Sequence, residues 1–205
     1  MVRLLPRQRL EQADRHGRLA ESAVVRGPMA TGEAPTSGAQ THMAHPHEEL
    51  ITKFYTSFKN KDAAGMAECY HDDVVFSDPA FPELKGWQAG AMWTMLVDRG
   101  GADLEVTFDS VQADDNGGSA HWEAKYPFGK AKRPIHNKID ATFEFKDGKI
   151  VKHVDRFNFW RWSIMALGPA AIVLGLLPAT RAKVQKEAGT GLQMYIKRKR
   201  LGPKK

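Results

Sequence analysis

Between residues 47 and 58 the apolar side chains Leu50, Ile51, Phe54, Tyr55 and Phe58 recur at helical spacing. They form one broad stripe, which predicts an amphipathic helix with that face inward. Asp62 can cap a second, short helix whose inner face is Met66, Ala67, Cys69 and Tyr70. Residues 74–77 form a β-branched and aromatic run, and Pro79 biases Asp78 towards an extended conformation, so Asp78 is expected at a strand end. Trp87, Met92, Trp93, Met95 and Leu96 suit a third helix over residues 87–97, laid against a sheet. The period then changes to two. Strands are predicted at 104–113, 119–128, 135–145 and 150–159, with Asn116-Gly117 and Asp147-Gly148 as tight hairpin turns. Helices first and antiparallel hairpins afterwards predict an α+β fold.

The flanks have different patterns. Residues 26–45 are rich in Gly, Pro, Ala, Thr and Ser with almost nothing to bury, so residues 1–45 read as a disordered N-terminal segment preceding a domain at 46–160. Residues 162–180 carry no charge over 19 positions. A membrane helix needs roughly 20 apolar residues. Gly168-Pro169 and Pro178 interrupt this stretch and Arg161 and Arg181 flank it, so a helical extension over 161–190, covering the open end of the sheet or joining a dimer, is expected instead. Residues 191–205 read as a basic tail: Lys197 to Arg200 with Lys204 and Lys205 suit a nuclear localisation signal, an anionic-lipid contact, an RNA contact or a solubilising disordered end.

Charge placement narrows the partners. The net charge of +6 divides into +2 for residues 1–46, −4 for 47–180 and +8 for 181–205. The predicted domain is therefore mildly acidic, which argues against a nucleic-acid groove running through it. With Cys69 as the single cysteine there is no intrachain disulfide and no cysteine-based metal site. His45, His47 and His71 with Asp72 and Asp73 lack the spacing of an established metal site, so no metal is expected. Residues 1–43 contain no apolar run of secretory type after their arginines. A cytoplasmic location is the expectation, with peripheral membrane contact through 162–180 and the basic tail left open.

Strand alternation assigns faces. Ile139, Ala141, Phe143 and Phe145 point inward and Asp140, Thr142 and Glu144 outward; Trp122, Ala124 and Tyr126 point inward and His121, Glu123 and Lys125 outward. On the last strand Val151, His153, Asp155, Phe157 and Phe159 share a face, placing a histidine and an acid among apolar neighbours. Buried polar groups in such company need a partner or a role.

The stretch from Tyr70 through Asp72-Asp73 to Asp78-Pro79 resembles the Asp-Asp…Asp-Pro stretch of bacterial ketosteroid isomerases, members of the nuclear transport factor 2-like superfamily. The weaker likeness extends over about 110 residues to Phe159 and implies a cone-shaped curved antiparallel sheet with three N-terminal helices. In those isomerases the aspartate before the proline is the general base, and Asp78 takes that position. Their oxyanion hole uses a tyrosine and a protonated aspartate. The tyrosine position falls on Phe54, which has no hydroxyl, while Tyr55 lies one residue on and roughly 100° around the helix. Asp140 resembles the second acid in sequence, but its strand face points outward. In the SnoaL-like branch the catalytic acid lies on a late strand, and Asp155 resembles that placement.

The resemblance implies a pocket lined by Phe54, Tyr55, Trp122, Tyr126 and Phe157, with Asp78, Asp155 and His153 as catalytic candidates and no cofactor. The expected ligand is a small hydrophobic carbonyl or polycyclic compound, handled by an isomerase, cyclase or hydrolase with an Asp general base. A homodimer is the expected assembly. The alternative is a non-catalytic ligand-binding or assembly domain whose interior is filled by its own side chains.

Overall fold

The computed structural model of the chain describes residues 44–203. The segment expected to be disordered therefore lies outside the described residues, apart from Ala44 and His45. His45 caps helix α1 (Pro46–Lys59): its Nδ1 accepts the His47 N–H at 3.2 Å, and Glu48 accepts the His45 N–H at 3.2 Å. Two of the N–H groups left without helical partners are thus bonded. The expected stripe is inward, with Ile51, Phe54, Tyr55 and Phe58 buried. Asp62 caps α2 (Ala63–Glu68) by accepting the Gly65 N–H at 2.9 Å.

Strand β1 (Tyr70–Ser77) and the two-residue β2 (Leu84–Lys85) precede α3 (Trp87–Gly100). Four longer strands follow: β3 (Glu105–Ala113), β4 (Gly118–Phe128), β5 (Arg133–Lys146) and β6 (Lys149–Phe157). The open sheet has the order β2-β1-β6-β5-β4-β3. All neighbours are antiparallel except β1 and β6, which pair in parallel. The expected antiparallel sheet thus carries one parallel seam, because the chain leaves β1 through α3 and returns beside it only after three hairpin-linked strands.

Local turn chemistry departs from expectation once. Asp147 and Gly148 both have positive φ (52° and 70°), as a primed two-residue turn requires. Asn116 and Gly117 do not. Their turn is organised by Asp114, whose Oδ1 accepts the Asn116 N–H at 2.7 Å and the Gly117 N–H at 3.0 Å. On β6 a register shift at Glu144/Phe145 moves the inward position from Val151 to Ile150, which is fully buried.

The C-terminal region forms α4 (Phe159–Leu167), the short α5 (Ala171–Leu174) and α6 (Pro178–Lys199). Residue 160 thus falls inside α4. The basic tail expected at 191–205 is helical up to Lys199 and docked, because Leu192, Tyr195 and Ile196 fall on one face and are buried in the main core. The Tyr195 hydroxyl donates to Asp98 on α3 at 2.6 Å, and Lys199 pairs with the same carboxylate at 2.9 Å. No helix among the described residues is long and apolar enough to cross a membrane.

Candidate functional site

His153 and Asp155 are two apart on β6, so alternation sends both side chains into the interior, where they are 0 % and 3 % exposed. Each imidazole nitrogen has a partner. The Trp93 indole N–H, which can only donate, bonds the Tyr70 oxygen at 2.8 Å. The Tyr70 hydroxyl donates to His153 Nδ1 at 2.7 Å, and His153 Nε2–H donates to Asp155 Oδ1 at 3.0 Å. The Trp122 indole N–H reaches the same oxygen at 3.1 Å. This assignment puts the imidazole proton on Nε2 and gives every polar hydrogen from Trp93 through Tyr70 and His153 to Asp155 an acceptor. The partner-or-role requirement on the buried histidine and acid is met by Trp93, Tyr70 and Trp122. Tyr70 sits at the start of β1 and Trp93 in α3, so the relay ties helix and sheet together.

Asp78 follows the last residue of β1. Its Oδ1 accepts the N–H groups of Ala80 at 2.7 Å and Phe81 at 2.5 Å, and its own N–H donates to the Phe81 carbonyl at 2.9 Å. Asp78 therefore caps the turn beside Pro79. Its Oδ2 accepts no hydrogen bond among the described residues, although the residue is only partly exposed. Burial among protein atoms pushes its carboxyl up to about 7, helped by the Asp155 charge and opposed by the two backbone N–H bonds and by Arg181.

Tyr55 is fully buried, and its hydroxyl has no hydrogen-bond partner among the described residues. Burial holds that hydroxyl well above its ordinary range, with Asp155 and Tyr70 adding to the effect. The Tyr126 hydroxyl accepts the Trp162 indole N–H at 3.0 Å. Burial pushes it up to about 12, the Trp162 bond opposing and the Asp78 charge adding. Asp78, Asp155, Tyr55 and Tyr126 thus lie within electrostatic reach of one another in a chain of pairs.

Helix α6 closes over this end of the sheet. Gln185 Nε2 donates to the Pro79 carbonyl at 3.1 Å, next to Asp78, and Arg181 supplies the cation that Asp78 senses.

Aromatic side chains fill much of the interior. Phe54 meets Tyr55, Tyr70, Trp93 and His153 at centroid distances of 5.2–5.6 Å. Tyr55 and Phe58 each contact Trp122, at 5.9 and 5.5 Å. Phe54 thus packs on Tyr55, and Tyr55 on Trp122. Phe157 is partly buried and touches Trp162 at 6.4 Å. Two surface hollows lie elsewhere. One of about 500 Å³ runs along α1 past Thr52, Thr56 and Asn60; another of about 410 Å³ includes Tyr126, Ile135 and Met165. Of the anticipated lining residues, Tyr126 borders the second hollow, whereas Phe54, Tyr55, Trp122 and Phe157 border neither.

The outer face of the sheet is a solvated charge network: Glu123 contacts His121, His136 and Lys138, and Asp140 accepts from His121 at 2.7 Å. Asp140 is thus remote from the interior acids. No group of three or more His, Cys, Asp or Glu among the described residues converges as a metal site.

Tyr70, Trp93, Arg181 and Gln185 are the site residues that sequence reasoning missed. For Tyr70 and Trp93 a signal existed, since a buried His-Asp pair demands donors and acceptors nearby. For Arg181 and Gln185 none did, because they lie more than 100 residues from Asp78 in sequence.

Known proteins give the same architecture. A structure from a soil-derived mobile gene cassette superposes with a TM-score of 0.53 at 17 % identity, covering 60 % of this chain and 97 % of that one. TerC, co-crystallised with polyporic acid, gives 0.51 at 16 % identity, covering 59 % of this chain and 98 % of that one. A protein described as a polyketide cyclase from Xanthomonas campestris gives 0.50 at 17 % identity over 58 % and 96 %. No curated protein matches the sequence. The SnoaL-like domain profile matches residues 51–153, which contain Asp78 and His153 and stop two residues before Asp155. With half of its length matched and the nuclear transport factor 2-like arrangement of helices and sheet in place, the chain belongs to the SnoaL-like domain family.

Proposed function

We propose that the domain binds a small hydrophobic carbonyl or polycyclic compound and, where the compound bears a carbonyl, moves a proton on it without a cofactor. The observation that carries this reading is Asp78: one carboxylate oxygen is held by two backbone N–H groups, the other accepts nothing among the described residues, and burial brings the group to about 7. An acid poised near neutrality can both take and return a proton. In the ionised form Asp78 removes a proton from the carbon next to the carbonyl, leaving an enolate. It then returns the same proton at another carbon or to the oxygen, so no co-reactant is consumed. The Tyr55 hydroxyl, without a hydrogen-bond partner among the described residues, is a donor suited to the developing oxyanion, in place of the hydroxyl that Phe54 lacks. Asp155, fixed by His153 and Trp122, raises the proton affinity of Asp78 and acts as a positioning residue. TerC binding of polyporic acid and the cyclase description of the Xanthomonas protein are consistent with this ligand class.

A second reading has its own support. Phe54, Tyr55, Phe58, Trp93 and Trp122 fill the interior against one another, as in a binding or assembly domain with no reaction to perform. Native mass spectrometry of the protein after exposure to a metabolite extract separates the two. The catalytic reading expects a bound compound that is converted by the wild type and retained unchanged by Asp78→Asn. A compound bound but unchanged by both proteins supports the binding domain, and the lack of any retained compound removes both ligand-based readings.

A further inference from the structure

The connection between α4 and α6 exposes apolar side chains on one knuckle: Leu167 (46 %), Ile172 (52 %), Val173 (71 %), Leu174 (50 %), Leu176 (68 %) and Leu177 (47 %). Trp160, 39 % exposed, belongs to the same knuckle, since its indole N–H donates to the Ile172 carbonyl at 3.0 Å. Contiguous exposed apolar side chains of this size mark an interaction surface.

The surrounding charge identifies the partner. From residue 156 to residue 186 there is no acid, and the bases Arg156, Arg161, Arg181, Lys183 and Lys186 lie in that span. The turn after β4 adds to them. The Arg133 guanidinium lies against Gly168, where a Cβ would sit 2.8 Å from it, and Lys130 and Lys132 are exposed in the same turn. An apolar tip with a predominantly basic surround, in which Asp78 near Arg181 and Glu187 at 4.0 Å from Lys183 are only partial counter-charges, complements an anionic lipid surface: the hydrocarbon enters the headgroup boundary and the cations remain at phosphate depth. A second copy of the chain would bring Arg161 and Arg181 against their own equivalents, which like-charge repulsion opposes. A span is excluded by geometry, because α5 has four residues and no described helix is long and apolar enough to cross.

We infer that the α4–α6 knuckle is a membrane-docking surface that inserts Val173 and Leu176 among their apolar neighbours into the interface of anionic bilayers. The inference is independent of any reaction at Asp78. Flotation of the full chain with vesicles of phosphatidylcholine, alone or with about 30 mol % phosphatidylserine, tests it. The chain should float with the anionic vesicles at low salt, and its bound fraction should fall as salt screens the basic surround. Val173→Glu with Leu176→Glu should weaken binding at least tenfold while leaving the circular dichroism spectrum unchanged, since both side chains are exposed. Should that variant unfold, Val173→Ser at the most exposed position carries the same comparison. Two results overturn the inference: equal flotation of wild type and a folded variant, or failure to float with anionic vesicles. A loss of self-association in the variant, seen by analytical ultracentrifugation without any vesicle binding of the wild type, assigns the surface to a second copy instead.

Discussion

Replacing Asp78 by asparagine keeps the side-chain shape and the acceptor for the Ala80 and Phe81 N–H groups, and removes the ionisable proton site. The variant therefore imitates the protonated form at every pH. In the folded wild type the carboxyl titrates at about 7 against an ordinary value of 3.8. Its proton affinity is raised by folding, so the contribution to stability is fully present below the ordinary carboxylate range and is lost as pH rises through about 7. Most of the loss falls between those two values, where the folded state holds a proton that the unfolded chain has released.

At about 1.4 kcal/mol for each pH unit of displacement, the full effect has an upper bound near 4 kcal/mol. Asp78 is partly exposed, so solvent screening reduces this to roughly 1–3 kcal/mol. Urea denaturation of both proteins at several values between about pH 4.5 and pH 8, at constant ionic strength, reads the difference directly. Wild-type stability relative to Asp78→Asn should decline across the interval and level off above about pH 7.5. Parallel pH profiles for the two proteins would refute the assignment of a raised carboxyl to Asp78. A variant equally less stable at all pH values would show that the turn, not the proton, dominates.

Tyr70→Phe leaves the Trp93 indole and His153 Nδ1 without their partner and should cost about 2–4 kcal/mol in chemical denaturation. Tyr55→Phe removes a buried hydroxyl that bonds nothing among the described residues. It should raise the unfolding free energy by about 0.5–2 kcal/mol in the ligand-free protein, seen as a higher denaturation midpoint. Trp122→Phe takes one of two donors from Asp155 Oδ1 and should destabilise by about 1–3 kcal/mol in the same assay. Leu192→Ala creates a cavity under α6 and should cost about 2–5 kcal/mol, with new proteolytic cleavage inside α6 detected by mass spectrometry.

Elements governed by local chemistry were legible along the chain. The stripe from Leu50 to Phe58 identified α1, Asp62 capped α2, and alternation placed Trp122, Ala124, Ile139 and Ala141 inward, because helical and strand periods are set by the backbone itself. The same alternation put His153 and Asp155 on one inward face and Asp140 on the outer one. The Asp114 turn, the register shift that exchanges Val151 for Ile150, and the parallel seam of β1 with β6 were not legible. Each depends on how two strands meet, which no single segment encodes.

The candidate site divides along the same line. Asp78 was identifiable from its place before Pro79, and the sequence also contained its role as a turn cap, since both follow from adjacent residues. Its proton affinity was not, because burial and the charges of Asp155 and Arg181 come from segments 77 and 103 positions away. The hydrogen-bond order from Trp93 through Tyr70 and His153 to Asp155 likewise joins α3, β1 and β6. The sequence by itself thus determined the periodic elements, their inward faces and the positions of the acids, all of which arise within a few residues. Tertiary packing alone decided which acids meet, which buried hydroxyls are left without a partner among the described residues, and that the basic C-terminal helix docks on the core, because those outcomes depend on distances between remote segments.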